Sequence, residues 1–188
     1  SIKRGYTDFI LDIDLTSYSI STTKLPAYFK EKFIGGRGYA LKLIWDRTYE
    51  HTFYDSKENL LIMANGPLGN DPRFPGTGKF IVGTISPLTD TFVDSNVGGH
   101  FGPILKRCGF DTLSISGISD KDVIIVIDGD KGSIIIAEAP SFGNDIDMWS
   151  ISYGEALLKK LFNDTPNINT ALVTCGIGAL NTRFGIIN

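Results

Sequence analysis

The feature that most limits what this chain can fold into is the spacing of its apolar runs. Most are short, alternate with polar residues, and are separated by turn signals instead of long helical stretches. Phe9 to Leu15 alternates up to a Thr16-Ser17 turn, and Ser19 to Thr23 alternates again, which predicts a hairpin. Leu25 to Ile34 reads as a short amphipathic helix with Pro26 in its first turn, stopped by Gly35-Gly36. A second helix is predicted from Gly38 to Asp46, with Leu41, Ile44 and Trp45 on one face. Asn59 to Ala64 reads as a buried strand, and strands at Phe80–Ile85 and Thr91–Asp94 flank a turn at Ser86 to Asp90. A helix from Gly98 to Cys108 ends at Gly109. Strands follow at Thr112–Ser116, Val123–Asp128 and Ser133–Glu138, the last two joined by the hairpin tip Asp128-Gly129-Asp130. A helix over Trp149–Phe162 and a strand over Thr170–Thr174 precede a glycine-rich tail. Many strands with few interposed helices predict an α+β sheet fold and not a doubly wound one.

A chain of 188 residues with 42% apolar content has material for one domain with a real core. Its net charge of −3 argues against general nucleic-acid binding, which needs a basic surface, but leaves room for a small cationic pocket. No run approaches the roughly 18 apolar residues of a membrane span, and the amino end shows no signal-peptide pattern. A cytoplasmic protein with no membrane partner is the expectation. Cys108 and Cys175 sit in unlike contexts and read as a reduced pair. Neither lies in a C-x-x-C unit, so this chain cannot supply four thiolates to a cluster or a zinc ion.

No catalytic constellation is legible. His51 lies in a polar segment, and His100 follows two glycines beside a helix start, without a G-x-S-x-G elbow to supply a serine. Glycine-marked turns carry more information. In Gly35-Gly36-Arg37-Gly38, bare N–H groups at a helix start and the Arg37 guanidinium could together hold an anion; the competing reading is a helix cap with Arg37 in solvent. Asn96-Val97-Gly98-Gly99-His100-Phe101-Gly102 repeats the theme, with plain packing as its competitor. The stretch from Asn65 to Lys79, rich in Gly and Pro, is long enough to suggest a functional loop. Pro75-Gly76-Thr77-Gly78-Lys79 is not a nucleotide phosphate loop, because Phe80 occupies the required hydroxyl position. Lys79 still stands at the loop's mouth, where it could meet a phosphate as a point charge. Asp128 and Asp130 fail the spacing of a calcium loop and read as a turn, as do Asp145 and Asp147.

Taken in order, these segments resemble the amino-terminal domain of the aldehyde:ferredoxin oxidoreductase family. The pieces that carry the likeness are Ile34-Gly35-Gly36-Arg37-Gly38, Glu58 to Ile62 leading to Gly66-Pro67-Leu68, Thr84 to Thr89, Asn96 to Gly102, Leu105 to Asp111, and the tail from Gly176 to Asn188. The resemblance implies two similar mixed or antiparallel sheets with a few helices. These form a platform spanning residues 1–188 for a tungsten (or molybdenum) bis-pyranopterin cofactor with a magnesium ion. By the same likeness Asn96 offers its backbone carbonyl to magnesium, Gly98 contacts the pterin, and Lys79 reaches the cofactor's polar edge; Gly99 and Arg37 are expected to join these three around one concave cofactor-binding surface. The implied reaction oxidises an aldehyde to a carboxylate, with electrons leaving through a 4Fe–4S cluster to ferredoxin.

Lys79 stands where well-known members carry arginine, and Gly66-Pro67-Leu68-Gly69-Asn70 lacks the usual threonine-glycine continuation. The chain stops at Asn188, before the pterin loop, the cluster cysteines and the helical substrate domains. It is therefore expected to be an excised domain, a small subunit or a degenerate paralogue, incomplete alone and retaining little tungsten. The alternative reading is a non-catalytic interaction module, self-associating or docking on a separate helical subunit.

Overall fold

The turn after Phe9–Asp14 (β1) is closed by the Asp14 carboxylate, which accepts the N–H groups of Thr16 and Ser17 and turns the chain into Ser19–Lys24 (β2). The computed structural model describes residues 5–147, 149–163, 169–180, 182 and 183. Beyond β2 come helices Ala27–Lys32 (α1) and Arg37–Arg47 (α2), then strands Leu61–Ala64 (β3), Phe80–Ile85 (β4) and Phe92–Val97 (β5). Helix Phe101–Arg107 (α3) leads to strands Thr112–Ser116 (β6), Val123–Asp128 (β7) and Ser133–Glu138 (β8). The one-turn helix Asn144–Asp147 (α4) and Ser150–Phe162 (α5) follow, with a 3-10 turn at Ile177–Leu180. Two sheets form, one of six strands in the order β2-β1-β6-β3-β4-β5 and one of two, β7-β8. β1 and β6 run parallel and the other pairs antiparallel, which makes the larger sheet mixed.

Strand alternation gives this sheet two apolar faces, and each is covered differently. One carries Ile10, Ile62, Ala64 and Ile85 against Phe29 of α1 and Tyr39, Ala40, Leu43 and Ile44 of α2. The other carries Leu11, Ile13, Met63, Phe80 and Leu113 against Leu105 of α3 and the apolar side of the β7-β8 hairpin. Each fully buried Leu, Ile or Phe contributes about 1.5–3 kcal/mol, so the two layers supply most of the driving force.

Three sequence expectations change. α2 does not turn Leu41 and Trp45 inward: they are 46% and 78% exposed, while Tyr39, Ala40, Leu43 and Ile44 are buried. Ala40 lies directly on Gly83 of β4, where even an added Cβ would come within 2.9 Å, and this close approach goes with the buried face Tyr39, Ala40, Leu43 and Ile44. Residues 170–174 form no strand. Thr174 Oγ1 instead donates to the Ser150 carbonyl, and Leu172 sits on Gly154 of α5, so the segment braces a helix by side chains. β5 runs to Val97 and α3 starts only at Phe101, which places Asn96 in a strand. Asp128 closes its hairpin turn by accepting the N–H groups of Asp130 and Lys131, which lowers its pKa. Asp147 belongs to the last turn of α4 and accepts from Phe142 and Ser141.

An added Cβ at Gly83 would lie 2.9 Å from both the Ala40 Cβ and the Phe92 ring. Gly83→Val is expected to lower unfolding free energy by about 2 kcal/mol in denaturant titration, and Trp45→Ala to change it by less than about 0.5 kcal/mol.

Candidate functional site

β5 is the last strand of its sheet, and its outer edge has no strand partner among the described residues. Ser86 N–H bonds the carbonyl of Thr91, directly opposite it, and so sets the phase of the β4-β5 ladder. Hydrogen-bonded and non-hydrogen-bonded pairs alternate in an antiparallel ladder. Counting by that alternation, Gly83↔Asp94 and Ile81↔Asn96 are non-bonded pairs. The main-chain groups of Asp94 and Asn96 therefore point away from β4, toward the open edge. Past the strand, Gly98 and Gly99 continue beside Gly78, whose added Cβ would lie 3.0 Å from the Gly99 carbonyl. Cβ atoms added at Gly98 or Gly99 would themselves meet nothing within 4 Å, and Gly99 holds φ +88°.

The five residues singled out from sequence gather along this strand end. Asn96 is exposed on β5, Gly98 and Gly99 follow it, and Lys79 directly precedes Phe80, the partner of Val97. Lys79 is exposed and has no acidic partner among the described residues. Arg37 opens α2 and reaches the same strand through Asp94, with Nε and Nη2 both 2.9 Å from Oδ2. Asp94 to Gly98 spans about 13 Å of extended chain at ~3.3 Å per residue. The Arg37 charge is thus largely spent on Asp94, while that of Lys79 remains free.

Lys79 also lines a cleft of about 420 Å³ between Ile34 and the long loop, with Pro67, Leu68, Phe74 and Pro75 as its apolar wall. That size suits a small-molecule ligand. Within the loop, Asp71 accepts from Arg73 Nε and Nη2, which holds its carboxyl down to about 2, and the guanidinium lies over the Phe74 ring. Thr77 Oγ1 donates to the Asp71 carbonyl and closes the loop on itself.

Three residues beneath this cleft were not singled out in the sequence. Asn65 is 1% exposed: its N–H donates to the Asp111 carbonyl, its own carbonyl accepts from Gly36, and Nδ2 donates to the carbonyl of Gly102. Lys106, 8% exposed on α3, donates from Nζ to the Gly66 carbonyl at 2.5 Å and lies 3.8 Å from Asp111. Burial lowers its pKa. Asp111 in turn accepts the N–H groups of Thr7 and Asp8. A lysine beside Leu105 in a short helix, followed by an aspartate after a glycine turn, was the only sequence signal, and it is weak.

Other candidates lie apart. His51 is exposed on a turn, and His100 is exposed at the start of α3. A second cavity of about 480 Å³ lies over β2-β1-β6, lined by Asp12, Arg47, Ser21 and Ser114. Cys108 and Cys175 are free thiols. Among the described residues no group of three or more His, Cys, Asp and Glu could hold a metal ion, and no helix is long and apolar enough to cross a membrane.

Residues 10–184 match the sequence profile of the aldehyde ferredoxin oxidoreductase N-terminal domain. The tungsten-containing aldehyde ferredoxin oxidoreductase of Pyrococcus abyssi is 35% identical over 123 residues, 65% of this chain and 20% of that protein. The enzyme of the same name from Thermococcus kodakarensis is 30% identical over 150 residues, 80% of this chain and 24% of that protein. This chain thus spans about a fifth of the length of the curated relatives it matches. Among solved structures, a chain of the active-site complex BamBC of benzoyl coenzyme A reductase, in complex with 1,5-dienoyl-CoA, superposes with a TM-score of 0.76. It is 31% identical, over 85% of this chain and 23% of that one.

Because the Arg37–Asp94 pair is partly solvated, Arg37→Ala is expected to cost less than about 1 kcal/mol of stability in denaturant titration. The Asp71 carboxyl sits below its unfolded value of about 3.9, so its contribution is complete above that pH and is lost as pH falls toward 2. Loop amides 71–77 are expected to lose hydrogen-exchange protection in that window, while β3 and β6 change later.

Proposed function

The chain belongs to the aldehyde ferredoxin oxidoreductase family as its N-terminal domain, and from that premise we propose that the β5 edge and the Lys79 cleft form part of a tungsten (or molybdenum) bis-pyranopterin surface. The observation that carries this reading is bare backbone at Gly98-Gly99, facing open space beside an unpaired Lys79. The residues present fit such a group. Glycine lets a flat ring approach the main chain, Lys79 offers one mobile cation to a phosphate, and the outward carbonyl of Asn96 suits a hard cation such as magnesium. Arg37, tied to Asp94, holds the first turn of α2 against the strand and keeps one nitrogen, Nη1, for the ligand's polar edge.

Bound there, the cofactor would supply the two-electron chemistry that converts an aldehyde to a carboxylate. This chain's own residues bind and orient the cofactor. The iron–sulfur cluster, the substrate pocket and the ferredoxin contact then belong to protein outside this domain. Large exposed side chains such as Trp45, Tyr49 and Leu88 support docking against further protein, in the same polypeptide or a partner subunit. The likeness to a benzoyl coenzyme A reductase chain favours a second reading, in which the same platform serves a reduction and the partner domains choose the substrate.

The test is cofactor retention in the full-length protein that carries this domain. Lys79→Ala is expected to cut bound tungsten and pterin after dialysis by about tenfold, the worth of one charge-assisted hydrogen bond, with Lys79→Arg near the parent value. Full retention by Lys79→Ala would remove the cleft from the cofactor's path.

A further inference from the structure

We propose that Lys106 is a positioning residue for the Lys79 cleft, setting the wall at residues 66–69 through its hydrogen bond to the Gly66 carbonyl. The cleft is lined by Gly66, Pro67, Leu68 and Gly69, and Lys106 is not among its lining residues. Gly66 has no side chain to pack, and a Cβ added there would meet nothing within 4 Å. The only handle on this residue is its main chain. Its carbonyl accepts twice, from Lys106 Nζ and from the N–H of Gly69 at 3.1 Å. The second bond closes the Gly66–Gly69 turn, and the first decides where that turn sits.

The choice of lysine supports a task other than stability. Lys106 lies beside Leu105 on the side of α3 that faces the protein, where a long apolar side chain would pack without losing hydration. A buried cation is retained there with two oxygens in range, Gly66 O and the Asp111 carboxylate. Asp111 is itself fixed by the N–H groups of Thr7 and Asp8, and its own N–H bonds the Phe9 carbonyl. The ammonium therefore sits 3.8 Å from a carboxylate anchored just ahead of β1 and β6, and its one short bond is to the Gly66 carbonyl. From above, Gly35 and Gly36 press on Asn65: Gly36 N–H donates to its carbonyl, and a Cβ on Gly35 would lie 2.8 Å from the Gly66 Cα. The Lys106 bond to Gly66 is made by a side chain, so it can be changed without altering the backbone of the turn.

This rests on reading the cleft as a cofactor surface, and the experiment separates the two. Hydrogen exchange is measured on the full-length protein for the parent, Lys106→Met and Lys106→Arg, with bound tungsten and pterin followed through dialysis. Lys106→Met is expected to speed exchange at Gly69 about tenfold or more. Amides of β1, β3 and β6 should stay within about twofold, and cofactor should be lost several times faster. Lys106→Arg should restore both. Unchanged protection at Gly69 overturns the proposal, and so does a uniform rise across β1, β3 and β6, which would make Lys106 an ordinary fold residue. If Lys79→Ala keeps its cofactor while Lys106→Met loosens Gly69, the cofactor reading falls and the tether stands.

Discussion

Everything near the candidate site depends on one backbone crossing, where the chain leaves β3 at Asn65 and Gly66. Main-chain groups arrive there from the α1-α2 connector, from α3 and from the start of β6, and each is hydrogen-bonded to Asn65. Buried amides must find partners because losing water without replacement costs more than most contacts return. Asn65 meets that demand with one side chain and two main-chain groups, though its Oδ1 has no hydrogen-bond partner in the structure. The crossing is tight enough that Gly5, Gly35 and Gly102 tolerate no side chain beside residues 65–67.

That requirement divides the glycines into two kinds. Gly35 and Gly102 are packing glycines, bare because another backbone or the Asn65 side chain lies against them. Gly98 and Gly99 are bare and face nothing. Only the second kind leaves room for a ligand, and it stands at the exposed end of an edge strand. Such an edge ordinarily invites pairing with another chain. Here its outward groups lie beside Lys79, whose charge suits an anion, and beside Arg37, whose charge Asp94 already meets.

A similar division runs through the charged groups. Surface pairs such as Lys121–Glu138 stand in solvent and contribute little. The Lys106–Asp111 pair is buried and linked into the main chain on both sides. Breaking it would leave one charge stranded in a poor solvent, so both partners stay where the fold puts them. The site therefore rests on a stiff polar base, with a loop above it closed by Thr77 and Asp71.

Local pattern made most of the elements readable, because period-two alternation and turn chemistry act over a few residues. The β1-β2 hairpin, the Asp128 turn and the β7-β8 hairpin follow from neighbours in the chain. Pattern failed where a distant partner decided the outcome. The buried face of α2 goes with its close approach to Gly83, forty-odd positions away, and residues 170–174 braced α5 instead of joining a sheet. Lys79, Asn96, Gly98 and Gly99 were visible as residue types at turns, but sequence could not tell an empty glycine from a filled one. Lys106, Asn65 and Asp111 gave no individual signal of their role, because their importance lies in what surrounds them. The chain by itself determined most of the strands and where bare turns fall, since those depend on backbone preference and periodicity. Tertiary structure alone decided which bare turns stay open and which cation stays unpaired, because both depend on what the rest of the chain brings within a few ångströms.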